Sequence, residues 1–145
     1  MGLAVADDEP LDAIIVGAGF AGLYMLHSLR QRGKRVRVIE AASDVGGTWY
    51  WNRYPGARCD VVSVDYSFSF SDEIQQEWDW TEKYAAQPEI LNYIGFVADK
   101  LDLRRDIQFE TRVETMVYND ESTLWTVSTD QIGRASCRER VCLAV

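Results

Sequence analysis

The stretch Ala13-Ile-Ile-Val-Gly-Ala-Gly-Phe-Ala-Gly22 decides how this chain is read. Its first four residues form a short apolar run dominated by β-branched side chains, which fits a strand buried on both faces. Gly17, Gly19 and Gly22 follow at the spacing Gly-x-Gly-x-x-Gly. Ala21, Met25, Leu26 and Leu29 then recur at helical spacing, so a helix is expected to leave the turn with these residues as its apolar stripe. Arg30 and Arg32 suit the negative end of that helix, and Gly33 suits its C-terminal cap. Val36-Arg-Val-Ile39 reads as a second strand, closed by Glu40. Strand, helix and strand within about 30 residues is the size of a parallel βαβ crossover.

Three glycines alone are a weak signal. The strand before them, the helix after them and the acid at the end of the next strand make it specific. Gly17 permits the tight turn, Gly19 removes a side chain where a pyrophosphate must approach the backbone, and Gly22 lets the helix pack on the sheet. Phe20 lies within the same turn. The pyrophosphate would sit on the helix N-terminus, where free N–H groups and the helix dipole favour negative charge. Glu40, eighteen residues after Gly22, is placed to accept hydrogen bonds from the adenosine ribose hydroxyls. A carboxylate there repels a 2′-phosphate, so this site is read as one for FAD or NAD and not NADP. FAD is favoured, because the motif stands at the start of the chain and because of the segment that follows Glu40.

Working outward, Asp44 to Asp60 is rich in Gly, Trp, Tyr and Arg and is broken by Pro55-Gly56. It reads as a site loop with room for one short helix. Between Gln87 and Leu103, Ile90, Leu91, Ile94, Val97, Ala98 and Leu101 fall at helical spacing, with Pro88 in the first turn where proline is tolerated. Val113–Tyr118 and Trp125–Thr129 read as two strands joined by Asn119-Asp-Glu-Ser-Thr123. The expected fold class is α/β: a Rossmann-like FAD-binding βαβ unit with an attached β-hairpin, cut before the domain closes.

Asp44-Val-Gly-Gly-Thr-Trp-Tyr-Trp-Asn-Arg-Tyr-Pro-Gly-Ala-Arg-Cys-Asp60 resembles the FAD-binding signature of the Baeyer–Villiger flavin monooxygenases, on the phenylacetone and cyclohexanone monooxygenase branch. The resemblance continues through Tyr66-Ser-Phe-Ser-Phe70, Glu77-Trp-Asp-Trp-Thr-Glu82, Gln87-Pro-Glu-Ile-Leu91 and Phe96-Val-Ala-Asp-Lys100. The Gly-Gly-x-Trp element also occurs in flavin-containing monooxygenases and N-hydroxylases; the run from Trp49 to Asp60 is the discriminating part. The resemblance implies an enzyme that uses FAD, NADPH and O2 to insert one oxygen atom beside a ketone carbonyl, giving an ester or lactone. Gly46 and Gly47 would let backbone approach the flavin, and Thr48, Trp49, Tyr50 and Trp51 match positions lining FAD. Tyr66 and Val113 match further FAD contacts, and Arg58 and Cys59 match positions near NADP. Asp60 matches the active-site aspartate that pairs with the family's catalytic arginine, which stabilises the anionic oxygenated flavin.

The residues themselves leave alternatives open. Trp49, Tyr50, Trp51 and Tyr54 also suit a core cluster beneath the loop, Arg53 and Arg58 suit surface cations, and Asp60 suits a solvated loop carboxylate. Cys59 has no histidine near it in sequence and is not read as a nucleophile. His27, the sole histidine, is read as structural. No metal-ligand cluster and no Ser/His/Asp constellation stands out. A second Gly-x-Gly-x-x-Gly for NADPH is absent, as is the Phe-x-Gly-x-x-x-His-x-x-x-Trp fingerprint, so the chain is expected to be an inactive amino-terminal piece. Competing readings are a flavin-dependent N- or S-monooxygenase, or a nucleotide-binding remnant without catalysis.

Composition agrees with a soluble globular chain: 47% hydrophobic and 26% charged residues over 145 positions. A net charge of −8 argues against nucleic acid or an anionic membrane as partner. The acidic start, with Asp7, Asp8 and Glu9, is unlike a secretory signal, so a cytoplasmic location and free thiols at Cys59, Cys137 and Cys142 are expected. Residues 131-145 differ from the rest. They hold three Arg and one acid, which leaves 12 basic against 22 acidic residues, net −10, in the remainder. Ile132-Gly-Arg-Ala-Ser-Cys-Arg-Glu-Arg-Val141 resembles the translation of a common sequencing adapter. The expected division is therefore 1-130, a partial FAD-binding domain, and 131-145, a non-native tail.

Overall fold

A computed structural model describes residues 10–131 together with the backbone of 134–137 and 143–144. Strand β1 (Ala13–Val16) runs into helix α1 (Phe20–Gln31), which returns to strand β2 (Val36–Ile39). β1 and β2 pair in parallel from Ala13 opposite Val36 to Val16 opposite Ile39, completing the expected crossover. Gly33 closes α1 with φ +70°, the left-handed conformation a helix stop requires. The buried face of α1 is set by Gly22, Leu23 and Leu26. This differs from the expected stripe, because Ala21 is exposed toward the mouth of the turn rather than toward the sheet.

Beyond β2 come the single-turn helix α2 (Thr48–Trp51), helix α3 (Asp72–Glu77) and helix α4 (Gln87–Lys100), followed by the short strand β3 (Ile107–Gln108). β3 adds to β2 in parallel, Val38 opposite Ile107. Strands β4 (Val113–Asn119) and β5 (Leu124–Thr129) form the expected antiparallel hairpin. The backbone of β6 (Arg134–Cys137) pairs with β5, and that of β7 (Leu143–Ala144) pairs with β1. The parallel sheet thus has the order β3-β2-β1-β7, and the second sheet the order β4-β5-β6.

Both faces of the parallel sheet are covered, as a fully apolar strand demands. Ala13, Ile15, Val36 and Val38 join Leu23 and Leu26 of α1 and Ile90, Tyr93, Ile94 and Val97 of α4 in the main core. Ile14 and Ile39 turn the other way and meet Val127, with Val113 and Trp125 packed around them. The hairpin is therefore the second layer on the sheet. No helix among the described residues is long and apolar enough to cross a membrane.

Candidate functional site

A cleft of about 610 Å³ opens above the carboxyl ends of β1 and β2, where the chain switches from strand to helix. Its floor is the glycine turn. Gly17 has φ +100°, a conformation that side chains rarely adopt. A Cβ at Gly22 would lie 2.0 Å from the Gly17 carbonyl oxygen, so only glycine permits α1 to start this close to the turn. Gly19 caps α1 without a side-chain hydrogen bond, which leaves the first-turn N–H groups of Phe20, Ala21 and Gly22 available to an anion.

Glu40 is 5% exposed and closes one side of the cleft. Its two carboxylate oxygens accept the N–H groups of Ala18 (2.6 Å) and Ala42 (2.7 Å). The expected ribose acceptor is thus also a brace that ties the glycine turn to the end of β2. Each oxygen keeps a second lone pair for a further donor.

The opposite wall comes from the loop after β2. Gly46 (φ +139°) and Gly47 (φ +53°) turn the chain into α2, and the Gly46 N–H donates to the Ala18 carbonyl at 3.0 Å. A Cβ at Gly47 would come within 2.9 Å of the Gly19 Cα, so the two glycine turns touch backbone to backbone. Trp49 is buried, and its indole N–H donates to the Tyr66 hydroxyl at 3.1 Å. Phe20 meets the Tyr66 ring edge-on at 5.1 Å, which completes an aromatic flank. Arg104 reaches across from behind α4 to both Asp44 and Asp99, pinning the start of this loop.

Of the residues expected at the site, Gly17, Gly19, Phe20, Glu40, Gly47, Thr48, Trp49, Trp51, Tyr66 and Val113 line the cleft. Gly22 acts from beneath, through packing. Tyr50 points elsewhere: its hydroxyl pairs with Ser43 Oγ at 2.8 Å and its ring carries the Arg53 guanidinium. Arg58 pairs with Glu82 and donates to the Tyr84 carbonyl, outside the cleft. Cys59 is a buried free thiol whose N–H donates to the Ala85 carbonyl at 3.0 Å. Asp60 is exposed one residue further on, away from the cleft lining. Asn52, within the Asp44–Asp60 run, also lines the cleft, as do Thr111 and Arg112, which no sequence pattern singled out. Thr111 arrives because β3 pairs with β2, and its N–H donates to the Glu40 carbonyl at 3.0 Å.

Residues 15–79 match the family model described as an NAD(P)-binding Rossmann-like domain. The chain is 52% identical over 120 residues to a Baeyer–Villiger monooxygenase of Pseudooceanicola batsensis, a match covering 82% of this chain and 22% of the relative. It is 48% identical over 124 residues to a phenazine N-monooxygenase of Lysobacter antibioticus, covering 85% and 23%. Among solved structures, an oxidized steroid monooxygenase bound to NADP superposes with a TM-score of 0.88 at 60% identity, over 90% of this chain and 25% of that one. The chain therefore spans about a quarter of the length of the relatives it matches.

Proposed function

We propose that this chain forms the FAD-binding amino-terminal part of a ketone-oxidising flavoenzyme of the Baeyer–Villiger monooxygenase family, a reading supported by relatives 42–52% identical to it. The proposed overall reaction consumes ketone, O2, NADPH and a proton and yields ester or lactone, NADP+ and water. One observation carries the cofactor assignment: the uncapped start of α1, the Glu40 carboxylate and the Thr48–Trp51 helix share one cleft. The first-turn N–H groups of α1 would take the pyrophosphate, and the free lone pairs of Glu40 would take the ribose hydroxyls. Thr48, Trp49 and Tyr66 would flank the flavin end. When bound, FAD supplies the redox chemistry that activates O2. The protein's share is to hold the cofactor and keep water from it.

Asp60 is read as the partner of a catalytic arginine supplied from outside these residues. Its carboxylate has no ion pair or hydrogen bond among the described residues, which leaves it available. Arg58, already engaged by Glu82, would have to share its charge to reach NADP. The phenazine N-monooxygenase shares this same part of the chain, so the choice between ketone and nitrogen is assigned to residues beyond it. The division after residue 130 belongs to the same reading, with 131-145 as adapter-derived sequence; resequencing across the Gln131 codon tests it.

The cofactor assignment is tested by titrating the purified chain with FAD while following flavin fluorescence. FAD should bind and be displaced by ADP, whereas FMN, which lacks the adenosine half, should bind far more weakly. Equal binding of FMN would count against the adenosine-end geometry, and no binding of FAD against the whole reading. The 145 residues alone are expected to oxidise no ketone in an NADPH-consumption assay.

A further inference from the structure

Gln87 opens α4 in the run Gln87-Pro-Glu-Ile-Leu91, which the cofactor reading does not use. Among the described residues it is one of few buried polar side chains, 7% exposed. An amide withdrawn from water is costly unless it is hydrogen-bonded, so its partners carry information. Its Nε2 donates to the Trp49 carbonyl at 2.5 Å. Its backbone N–H donates to the Ala57 carbonyl at 2.9 Å. A single residue therefore grips both ends of the segment 49–57.

The Trp49 carbonyl needs such a partner. α2 is a single turn, too short to hold itself, and its last carbonyls have no successor turn to accept from. The N–H groups of Trp51 and Asn52 go to Gly47 and Thr48, which leaves the Trp49 oxygen to Gln87. Neighbouring contacts reinforce the same seam. Arg58 bridges Ala86, and a Cβ at Gly46 would strike the Leu91 side chain of α4 at 2.5 Å. Gln87 lines no part of the cleft; it stands behind the wall formed by Thr48, Trp49, Trp51 and Asn52.

We infer that Gln87 is a positioning residue that caps α2 from α4 and thereby sets the conformation of the 49–57 loop against the flavin cleft. The functional half of this inference rests on the FAD reading; the conformational half does not. Two variants test it in the cofactor-free chain by hydrogen exchange, corrected for intrinsic pH dependence. Gln87→Leu keeps the volume and removes the donor. Exchange across 49–57 should rise about tenfold, the scale of one lost buried hydrogen bond, while 13–39 stays unchanged. Gln87→Glu should loosen the same segment near pH 8, where a carboxylate faces the carbonyl. Burial against the carbonyl raises the pKa of this acid, so toward pH 5 the protonated form can donate and the segment should tighten again. That within-protein comparison decides the matter even if Gln87→Leu does not fold. Unchanged exchange in 49–57, or a rise spread evenly through β1 and α1, overturns the inference.

FAD titration supplies the second arm. Gln87→Leu should weaken binding about tenfold, in step with the exchange. A loosened loop with unaltered FAD affinity would overturn the link to the cofactor. If the unmodified chain takes up no FAD, the reading of the cleft fails, while the exchange result still decides whether Gln87 holds the loop.

Discussion

At Gly22 there is no room for one methyl group. A Cβ there would sit 2.0 Å from the Gly17 carbonyl oxygen and 3.1 Å from its carbon, both rigid backbone atoms. Gly22→Ala must therefore lift α1 off the turn, and overpacking of this kind costs about 1–3 kcal/mol or more. Chemical denaturation should show that loss, and FAD affinity should fall with it because the first-turn N–H groups move with the helix. His27, on the same helix, stacks on Phe70 with ring centroids 4.8 Å apart. Burial, and after it the nearby Arg30 guanidinium, hold its pKa below the ordinary 6.5. The fold thus favours neutral His27, and the unfolded chain takes the proton first. Stability should decline as pH falls through 6.5 toward the lower folded value, then level off. His27→Gln should flatten that decline, measured as the difference between variant and wild-type urea midpoints from about pH 7 to 5.

Among the elements, the site loop depends on a seam between residues 57–63 and 82–87, knitted largely by Ser63. Its hydroxyl donates to the Glu82 carbonyl at 2.7 Å and accepts the Ala85 N–H at 2.9 Å, and the residue is 2% exposed. Ser63→Ala leaves the buried Ala85 N–H without a partner, so a loss of about 1–3 kcal/mol is expected in denaturant titration. An unaltered midpoint would mean that water replaces the hydroxyl. No pattern in the sequence announces this seam, because it joins two irregular segments about twenty residues apart. The β1–turn–α1–β2 unit was legible for the opposite reason: its signals are local, and its strand bounds fall at Ala13–Val16 and Val36–Ile39 as expected. The hairpin was legible from two β-prone runs and the polar turn between them. α3 has six residues and depends on a Ser71 cap, whose Oγ accepts the Ile74 N–H, so it gave no periodic stripe to read. β3 has two residues and exists only through its pairing with β2. That pairing brings Thr111 beside Glu40, a distant contact that local patterns do not encode. Tyr50 sits in the matched run, and the direction of its ring toward Ser43 and Arg53 is a side-chain choice that the run itself does not encode.

At the scale of the molecule, two opposing surface properties meet. The segment 51–64 exposes large apolar groups: Trp51 at 59%, Tyr54 at 63%, Val61 at 42% and Val64 at 68%. Exposed apolar surface of this kind favours association. Against it stands a net charge of −8, which makes copies of the chain repel one another. Salt weakens the repulsion, with a Debye length of about 10 Å at 0.1 M, while leaving burial of apolar surface intact. The chain should therefore self-associate more strongly as salt rises, a trend that sedimentation velocity at several protein concentrations would reveal. Replacing Tyr54 and Val64 with Lys separates the two contributions. The double variant has net charge −6, so a charge-limited process would give more association at low salt. If the 51–64 surface drives contact, association should instead fall at every salt concentration. The thermal midpoint should hold, since both side chains are mostly exposed and contribute little to the core.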